Sequence, residues 1–245
     1  MPTSQCPDNS FRRAETLSPG LYVVATHIGN PGDITLRAIQ VLTHCDAVVC
    51  EERRQGIRLL KSLGLEKPLY LLNEHTKTEE IKLIFDELLI LKDKAVVMIS
   101  DAGTPGFADP GAELVSLCHE YQISVNPVPG ASSLMAALMS CGMRIERFLY
   151  YGFLSAKKEE RQSELKQIKT QTKYDIIFLE APYRLKNVIE DMKSILGKHR
   201  KARLFYKLTQ AGQKIIPGTL EEISTMANEL PKGEFILILE HDSRF

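Results

Sequence analysis

Most of the usual sequence markers of location and chemistry are missing from this 245-residue chain. No apolar run approaches the roughly 20 residues that cross a bilayer, and the opening MPTSQCPDNSFRRAETLSPG lacks the apolar middle of a secretion signal. These absences favour a cytoplasmic protein that does not use a membrane, with residues 1–20 as a flexible amino-terminal arm. Cysteine is scarce and unpaired in pattern: Cys6, Cys45, Cys50, Cys118 and Cys141 are odd in number, sit mostly among apolar residues and form no CxxC. That argues for reduced, structural thiols and against a metal site. Net charge is absent too, because 31 basic residues cancel 31 acidic ones, so no global field draws the chain to nucleic acid. There is no internal repeat, no low-complexity segment and no P-loop, since no glycine is followed by Lys-Ser/Thr in a suitable setting.

What is present is a regular alternation. From residue 21, LYVVAT is followed by a helical stretch over 34–44, DAVVCE by 52–63, LYLL by 77–91, AVVMIS by 110–121, and ISVNPV by a helix from about 131. In the first of these helices Ile34, Ala38, Val41, Leu42 and Cys45 fall at i, i+4, i+7, i+8 and i+11. Strands that alternate with helices predict a mostly parallel sheet covered on both faces. The pattern resumes as FLYYGF, a charged helix over 157–171, YDIIFLEA, a helix over 183–195, RLFYKLT, KIIPGT and EFILILE. Gly218-Thr219 before LEEISTMANEL marks a further helix with threonine as its cap. The expected architecture is two α/β domains, 21–145 and 146–245, the second with a mixed sheet. Charge divides between them. Residues 1–150 hold 14 Lys/Arg against 18 Asp/Glu, whereas 157–214 hold 15 against 7, which suits either a solvated surface or a polyanion patch.

Three strand ends stand out. SDAGTPGFADPG, Ser100–Gly111, places three glycines, two prolines and two aspartates directly after AVVMI. Its second half reads as a helix start, with Asp109 as cap and Pro110 in the first turn. Its first half, Asp101-Ala102-Gly103-Thr104, leaves open backbone where parallel sheets bind small molecules. His27-Ile28-Gly29-Asn30-Pro31-Gly32-Asp33 follows the first strand, and Pro127-Val128-Pro129-Gly130-Ala131-Ser132-Ser133 the fifth. Glycine admits close approach of a ligand, and a helix start offers free N–H groups to anions. Each segment alone can equally be a turn, with Asp33 as a helix cap. Three at one sheet edge favour a cleft. Glu51, ending the second strand, stands where a dinucleotide fold puts its ribose acid, but GNPGD is not GxGxxG and Pro31 stiffens the turn.

The ordered set GNPGDITLRA, EERR, SDAGTPGFADPGAELV, PVPGASS, YYGFL, LEAPYRL, KLT and KGEFILILE, spanning about residues 20–240, resembles the tetrapyrrole-methylase superfamily of S-adenosylmethionine-dependent methyltransferases. Within it the match is nearest to the branch that methylates a cytidine ribose 2′-oxygen in small-subunit ribosomal RNA. The resemblance implies a homodimer, with S-adenosylmethionine in a cleft between the two domains of each chain. By motif position, Gly29, Asp101, Ala102, Gly103 and Thr104, then Gly130, Ala131 and Ser132, are expected to hold the donor. Leu179, Glu180, Ala181, Leu208 and Lys232-Gly233-Glu234 complete its pocket from the second domain.

Methyl transfer from a sulfonium is an in-line displacement that depends mainly on alignment. A ribose hydroxyl calls for a base, and His27 and Glu180 are the candidates. Their plainer readings are a loop histidine and a strand-end acid paired with Arg184. Arg53, Arg54, Lys157, Lys158, Arg161 and Arg184 can hold phosphates, and Tyr151, Phe153 or Tyr183 can stack on a base, in contact with ribosomal RNA or the small-subunit particle. Lys157-Lys158-Glu159-Glu160 also reads as an ordinary solvated helix start. The chain departs from the branch pattern at His27 and Ser155 (usually proline), at Glu51-Glu52-Arg53-Arg54 (usually Glu-Asp-Thr-Arg) and at Tyr183 (usually histidine). Near Tyr206-Lys207-Leu208-Thr209-Gln210 the branch usually reads Arg-Glu-Leu-Thr-Lys, and Asn73-Glu74-His75-Thr76 resembles a divergent sub-branch. The alternatives are a methyltransferase acting on a tetrapyrrole or other small molecule, and a non-catalytic paralogue that binds cofactor or RNA.

Overall fold

The computed structural model describes residues 16–90, 93–106, 111–171 and 173–241. Cys6, Asp109, Pro110 and most of the expected amino-terminal arm lie outside the described residues. Two compact units emerge, one from residues 16–26 and 34–130, the other from 27–33 and 131–241.

In the first unit, β1 (Gly20–Val24), β2 (Ala47–Cys50), β3 (Leu69–Leu71), β4 (Ala95–Ile99) and β5 (Val125–Val128) form a wholly parallel sheet in the order β3-β2-β4-β1-β5. β2 and β4 are apolar and buried along their full length, as strands covered on both faces must be. Alternate residues face opposite layers. Tyr22, Val24, Val48, Cys50, Val97 and Ile99 pack with α1 (Leu36–His44) and α2 (Arg53–Ser62). Leu21, Ala47, Val49, Val96 and Met98 pack with α3 (Thr78–Phe85), its continuation and α4 (Ala112–Glu120). The expected helix over 77–91 is thus a shorter α-helix that passes into a π-helical turn, Asp86–Ile90. Asp33 does not cap α1. Thr35 does, its hydroxyl accepting the Ala38 N–H at 3.1 Å, while Asp33 closes a 3-10 turn, Pro31–Asp33. Pro127 is accommodated because β5 pairs only with β1, so its missing N–H leaves no ladder position unfilled.

The second unit has a mixed sheet. β6 (Phe148–Gly152) runs parallel to β7 (Asp175–Glu180), and β10 (Phe235–Leu239), β8 (Lys201–Tyr206) and β9 (Lys214–Thr219) follow antiparallel in the order β6-β7-β10-β8-β9. One face buries Ile176, Phe178, Leu204, Phe235 and Leu237 under α6 (Lys158–Gln171), α7 (Leu185–Leu196) and α8 (Leu220–Ala227). The other buries Ile177, Phe205, Ile236 and Ile238 against Ala137 and Cys141 of the α5 region (α5, Ser133–Ser140) and against Ile28. That second layer moves the boundary. The division expected at 145 falls at Gly130/Ala131, because α5 buries its apolar side on the carboxyl-terminal sheet, and residues 27–33 join the same unit through Ile28.

Cys45, Cys50, Cys118 and Cys141 are buried free thiols, with burial pushing Cys45, Cys50 and Cys118 up to about 11. The expected α8 cap is present. Thr219 Oγ1 accepts the Glu222 N–H at 3.3 Å, and the Glu222 carboxylate accepts the Thr219 N–H at 2.8 Å. Thr219→Ala is expected to destabilise the carboxyl-terminal unit by about 1 kcal/mol. A lowered urea midpoint at unchanged slope would show it; an unchanged midpoint would remove the cap from the stability of α8.

Candidate functional site

Parallel pairing brings the carboxyl ends of β4, β1 and β5 side by side, as the three open segments require. Backbone bonds tie these ends together: the Thr26 N–H donates to Gly103 O at 2.8 Å, and the Ala25 N–H to Val128 O at 3.0 Å. Gly103 has φ +78°, a left-handed conformation that glycine reaches without strain. A Cβ on Gly130 would lie 3.1 Å from Ala25 Cβ and 3.3 Å from Ala25 O, so the β5 end closes tightly on the β1 end. Asp101 leaves the end of β4 exposed. One of its carboxylate oxygens accepts the Glu52 N–H at 3.1 Å, and the other has no hydrogen-bond partner among the described residues. Partial burial holds its carboxyl above the usual range, an effect the Glu52 N–H opposes. Ala102 and Thr104 are exposed at the same edge. Arg53 and Arg54, at the start of α2, are exposed as well.

The remaining expected donor-binding residues belong to the second unit. Ser132 caps α5 by accepting the Met135 N–H, and Ala131 precedes it. Leu179 and Ala181 are half-buried at the end of β7, while Leu208 and Gly233 are buried beside β8 and β10. The loop 27–33 is held from within this unit. Gln210 Nε2 donates to Ile28 O at 3.0 Å and to the Glu234 carboxylate, and a Cβ on Gly29 would come within 2.3 Å of the Gln210 side chain. The β8–β9 connection that carries Gln210 is strained, with Lys207 at φ +48° and Thr209 at φ +64°. A β-branched residue in that region is a genuine outlier. Sequence reasoning treated Gln210 only as a departure from the family pattern and missed this clamp, since a bond spanning 182 positions leaves no local periodicity to find.

Each candidate base is engaged within the second unit. His27 Nδ1 accepts the Gly29 N–H at 3.2 Å, so the neutral ring carries its proton on Nε2 and offers an N–H. Glu180 is buried and paired with Arg184 at 3.1 Å, and its other oxygen accepts the Leu154 N–H at 3.2 Å. Burial raises the Glu180 carboxyl and Arg184 works against that rise. The paired-acid reading therefore describes the Glu180 geometry.

Two expected phosphate contacts also need correction. Arg161 and Arg184 are only 5% and 9% exposed, and their guanidinium groups are engaged by Asp191, Glu180 and backbone carbonyls. Lys157 is exposed and pairs with Glu160 at 2.8 Å, a solvated pair that holds the cation weakly. Of the three candidate stacking rings, Tyr151 packs on Phe178 with ring centroids 5.4 Å apart, whereas Phe153 and Tyr183 are exposed. Among the described residues no cluster of His, Cys, Asp and Glu could hold a metal ion, and no helix is long and apolar enough to cross a membrane.

Residues 20–224 match the family model described as Tetrapyrrole (Corrin/Porphyrin) Methylases. The chain is 38% identical over 220 residues to Ribosomal RNA small subunit methyltransferase I of Synechocystis, covering 89% of this chain and 78% of the relative. It is 39% identical over 221 residues to the protein of that name in Halalkalibacterium halodurans, covering 90% and 75%. Among solved structures it resembles a cobalt precorrin-4 methyltransferase, with a TM-score of 0.62 at 18% identity over 89% of this chain and 93% of that one. It also resembles a Thermus thermophilus uroporphyrin-III C-methyltransferase complexed with S-adenyl homocysteine, with a TM-score of 0.62 at 17% identity over 90% and 97%.

Gly29→Ala is expected to expel the Gln210 side chain and strain a backbone at φ +132°, destabilising the carboxyl-terminal unit by roughly 1–3 kcal/mol. Part of that loss should return in G29A/Q210A, where the overlap is relieved. Full stability of G29A in urea titration would contradict the clamp.

Proposed function

The chain belongs to the tetrapyrrole methylase family of S-adenosylmethionine-dependent methyltransferases, and we propose that its methyl acceptor is small-subunit ribosomal RNA, at the 2′-oxygen of a cytidine ribose. What carries this reading is the 38–39% identity, sustained over about nine-tenths of the chain, to relatives bearing the ribosomal RNA name. The charge distribution supports it, because 157–214 contributes 15 basic against 7 acidic residues in a chain whose charges cancel overall.

The residues present fit the donor. Its amino-acid end carries an ammonium group, and Asp101 offers an exposed carboxylate with one oxygen unclaimed among the described residues. Gly103 and Gly130 keep adjoining backbone free of side chains. We propose that the donor-binding residues are Asp101, Ala102, Gly103, Thr104 and Gly130, together with Gly29, Ala131, Ser132, Leu179, Ala181, Leu208, Gly233 and Glu234. The bound donor supplies an electrophilic methyl on sulfonium sulfur. The protein supplies alignment and dipoles fixed in advance, which suits a displacement in which positive charge disappears. His27 acts as an N–H donor that orients the acceptor, and Glu180 holds Arg184 in place. Exposed Arg53, Arg54 and Lys157 meet phosphates.

The proposal includes a cytoplasmic location and a homodimer. The exposed Met135 and Met139 of α5, with Phe148 and Leu149 of edge strand β6, give apolar surface for self-association.

The purified chain is expected to transfer labelled methyl from S-adenosylmethionine to small-subunit particles, with binding that weakens steeply as salt rises. Transfer to a porphyrinogen, with none to RNA, would move the acceptor to the small-molecule class. Asp101→Ala is expected to weaken donor affinity about ten- to a hundredfold in calorimetry, the loss of a charge-assisted contact. Unchanged affinity would remove Asp101 from the donor site.

A further inference from the structure

The loop that joins β6 to α6 is anchored by buried charge. Arg184 donates from Nη1 to Leu154 O at 2.8 Å and from Nη2 to Ser155 O at 2.6 Å. Arg161 Nη1 donates to Ser155 O and to Ala156 O, both at 3.1 Å. Three consecutive carbonyls are therefore held by two guanidinium forks. Each fork is itself fixed: Arg161 by Asp191 at 2.7 Å, and Arg184 by Glu180 at 3.1 Å. Asp191 also accepts from Gln162 Nε2 at 3.0 Å, and Glu180 from the Leu154 N–H.

These bonds join two neighbouring loops. β6 and β7 are adjacent and parallel, so the β6–α6 loop and the β7–α7 turn leave the sheet at one edge, and Arg184 links the second to the first. Directly before Leu154 stands Phe153, 51% exposed, and directly before Arg184 stands Tyr183, 69% exposed. Single exposed aromatics are ordinary. Two stand on neighbouring loops at one end of the sheet, each next to a residue of the buried network, and the exposed Lys157 follows in the first of these loops. A buried ion pair stabilises a fold no better than apolar residues of equal volume, but its forks set the direction of each carbonyl they hold.

We infer that Phe153 and Tyr183 form a stacking platform for an unpaired nucleobase of the RNA acceptor, and that Arg161 and Arg184 are positioning residues that hold it. Stacking suits this geometry because every base has a π-face and an aromatic side chain, with two rotatable bonds, loses little freedom on binding. The inference rests on the RNA reading of the function.

The test is a double-mutant cycle on the full chain. It is read by equilibrium binding to small-subunit ribosomal RNA across a salt series, with donor affinity, KM and kcat measured alongside. Phe153→Ala and Tyr183→Ala are each expected to raise the RNA Kd about tenfold without changing its salt dependence, because a stacked ring releases no counterions. Phe153→Trp should restore affinity. Arg184→Lys keeps the charge and loses the fork; it should raise the KM for RNA while leaving kcat and donor affinity unchanged, and F153A/Y183A/R184K should bind RNA no more weakly than F153A/Y183A. A purely structural Arg184 would instead lower the active fraction, and with it kcat, at constant KM. RNA affinity unchanged in both alanine variants, in a chain that methylates RNA, overturns the platform alone. A further loss in F153A/Y183A/R184K overturns the positioning role. A wild-type chain that neither binds nor methylates the RNA overturns this inference and the RNA reading together.

Discussion

Parallel hydrogen bonding between strands buried on both faces is the constraint on which the rest depends. β4, β1 and β5 run in one direction, so their carboxyl ends share an edge, and the helices that cover the sheet leave that edge open. Backbone bonds from Thr26 to Gly103 and from Ala25 to Val128 then fix the loops relative to one another. A small ligand can be bound there by main-chain groups and one carboxylate. The chemistry needs little more, since displacement at a sulfonium carbon is accelerated chiefly by orientation.

The second unit places its charge differently. Glu180, Arg184, Arg161 and Asp191 lie inside it as paired ions, and the two guanidinium groups donate to backbone carbonyls. The same chain keeps Arg53, Arg54, Lys157 and Lys158 at the surface. Residues of one chemical type therefore divide into an architectural set and an exposed set, and burial separates them. Gln210 belongs with the architectural group, linking the 27–33 loop to Glu234.

Much of the fold was legible because its signals are local. The apolar runs gave the strands, the 3.6-residue spacing of Ala38, Val41 and Leu42 gave α1, and Gly218-Thr219 gave the cap of α8. The shared edge of the three glycine-rich ends followed from strand alternation alone. What escaped is non-local. The domain division was misplaced because α5 is amphipathic in either setting, and only packing on Ile177, Phe205 and Ile236 shows which sheet it covers. Arg161 and Arg184 read as surface cations because a sequence does not show the carbonyls that approach them from Leu154, Ser155 and Ala156. The Gly29 N–H on His27 Nδ1 is likewise set by how the 27–33 loop folds.

The central claim is that open backbone at neighbouring strand ends receives the methyl donor. Amide hydrogen exchange of the full chain with and without S-adenosylhomocysteine tests it most directly. The account predicts new protection concentrated at 101–104 and 129–132. Protection confined to other segments, or none at saturating ligand, would contradict it.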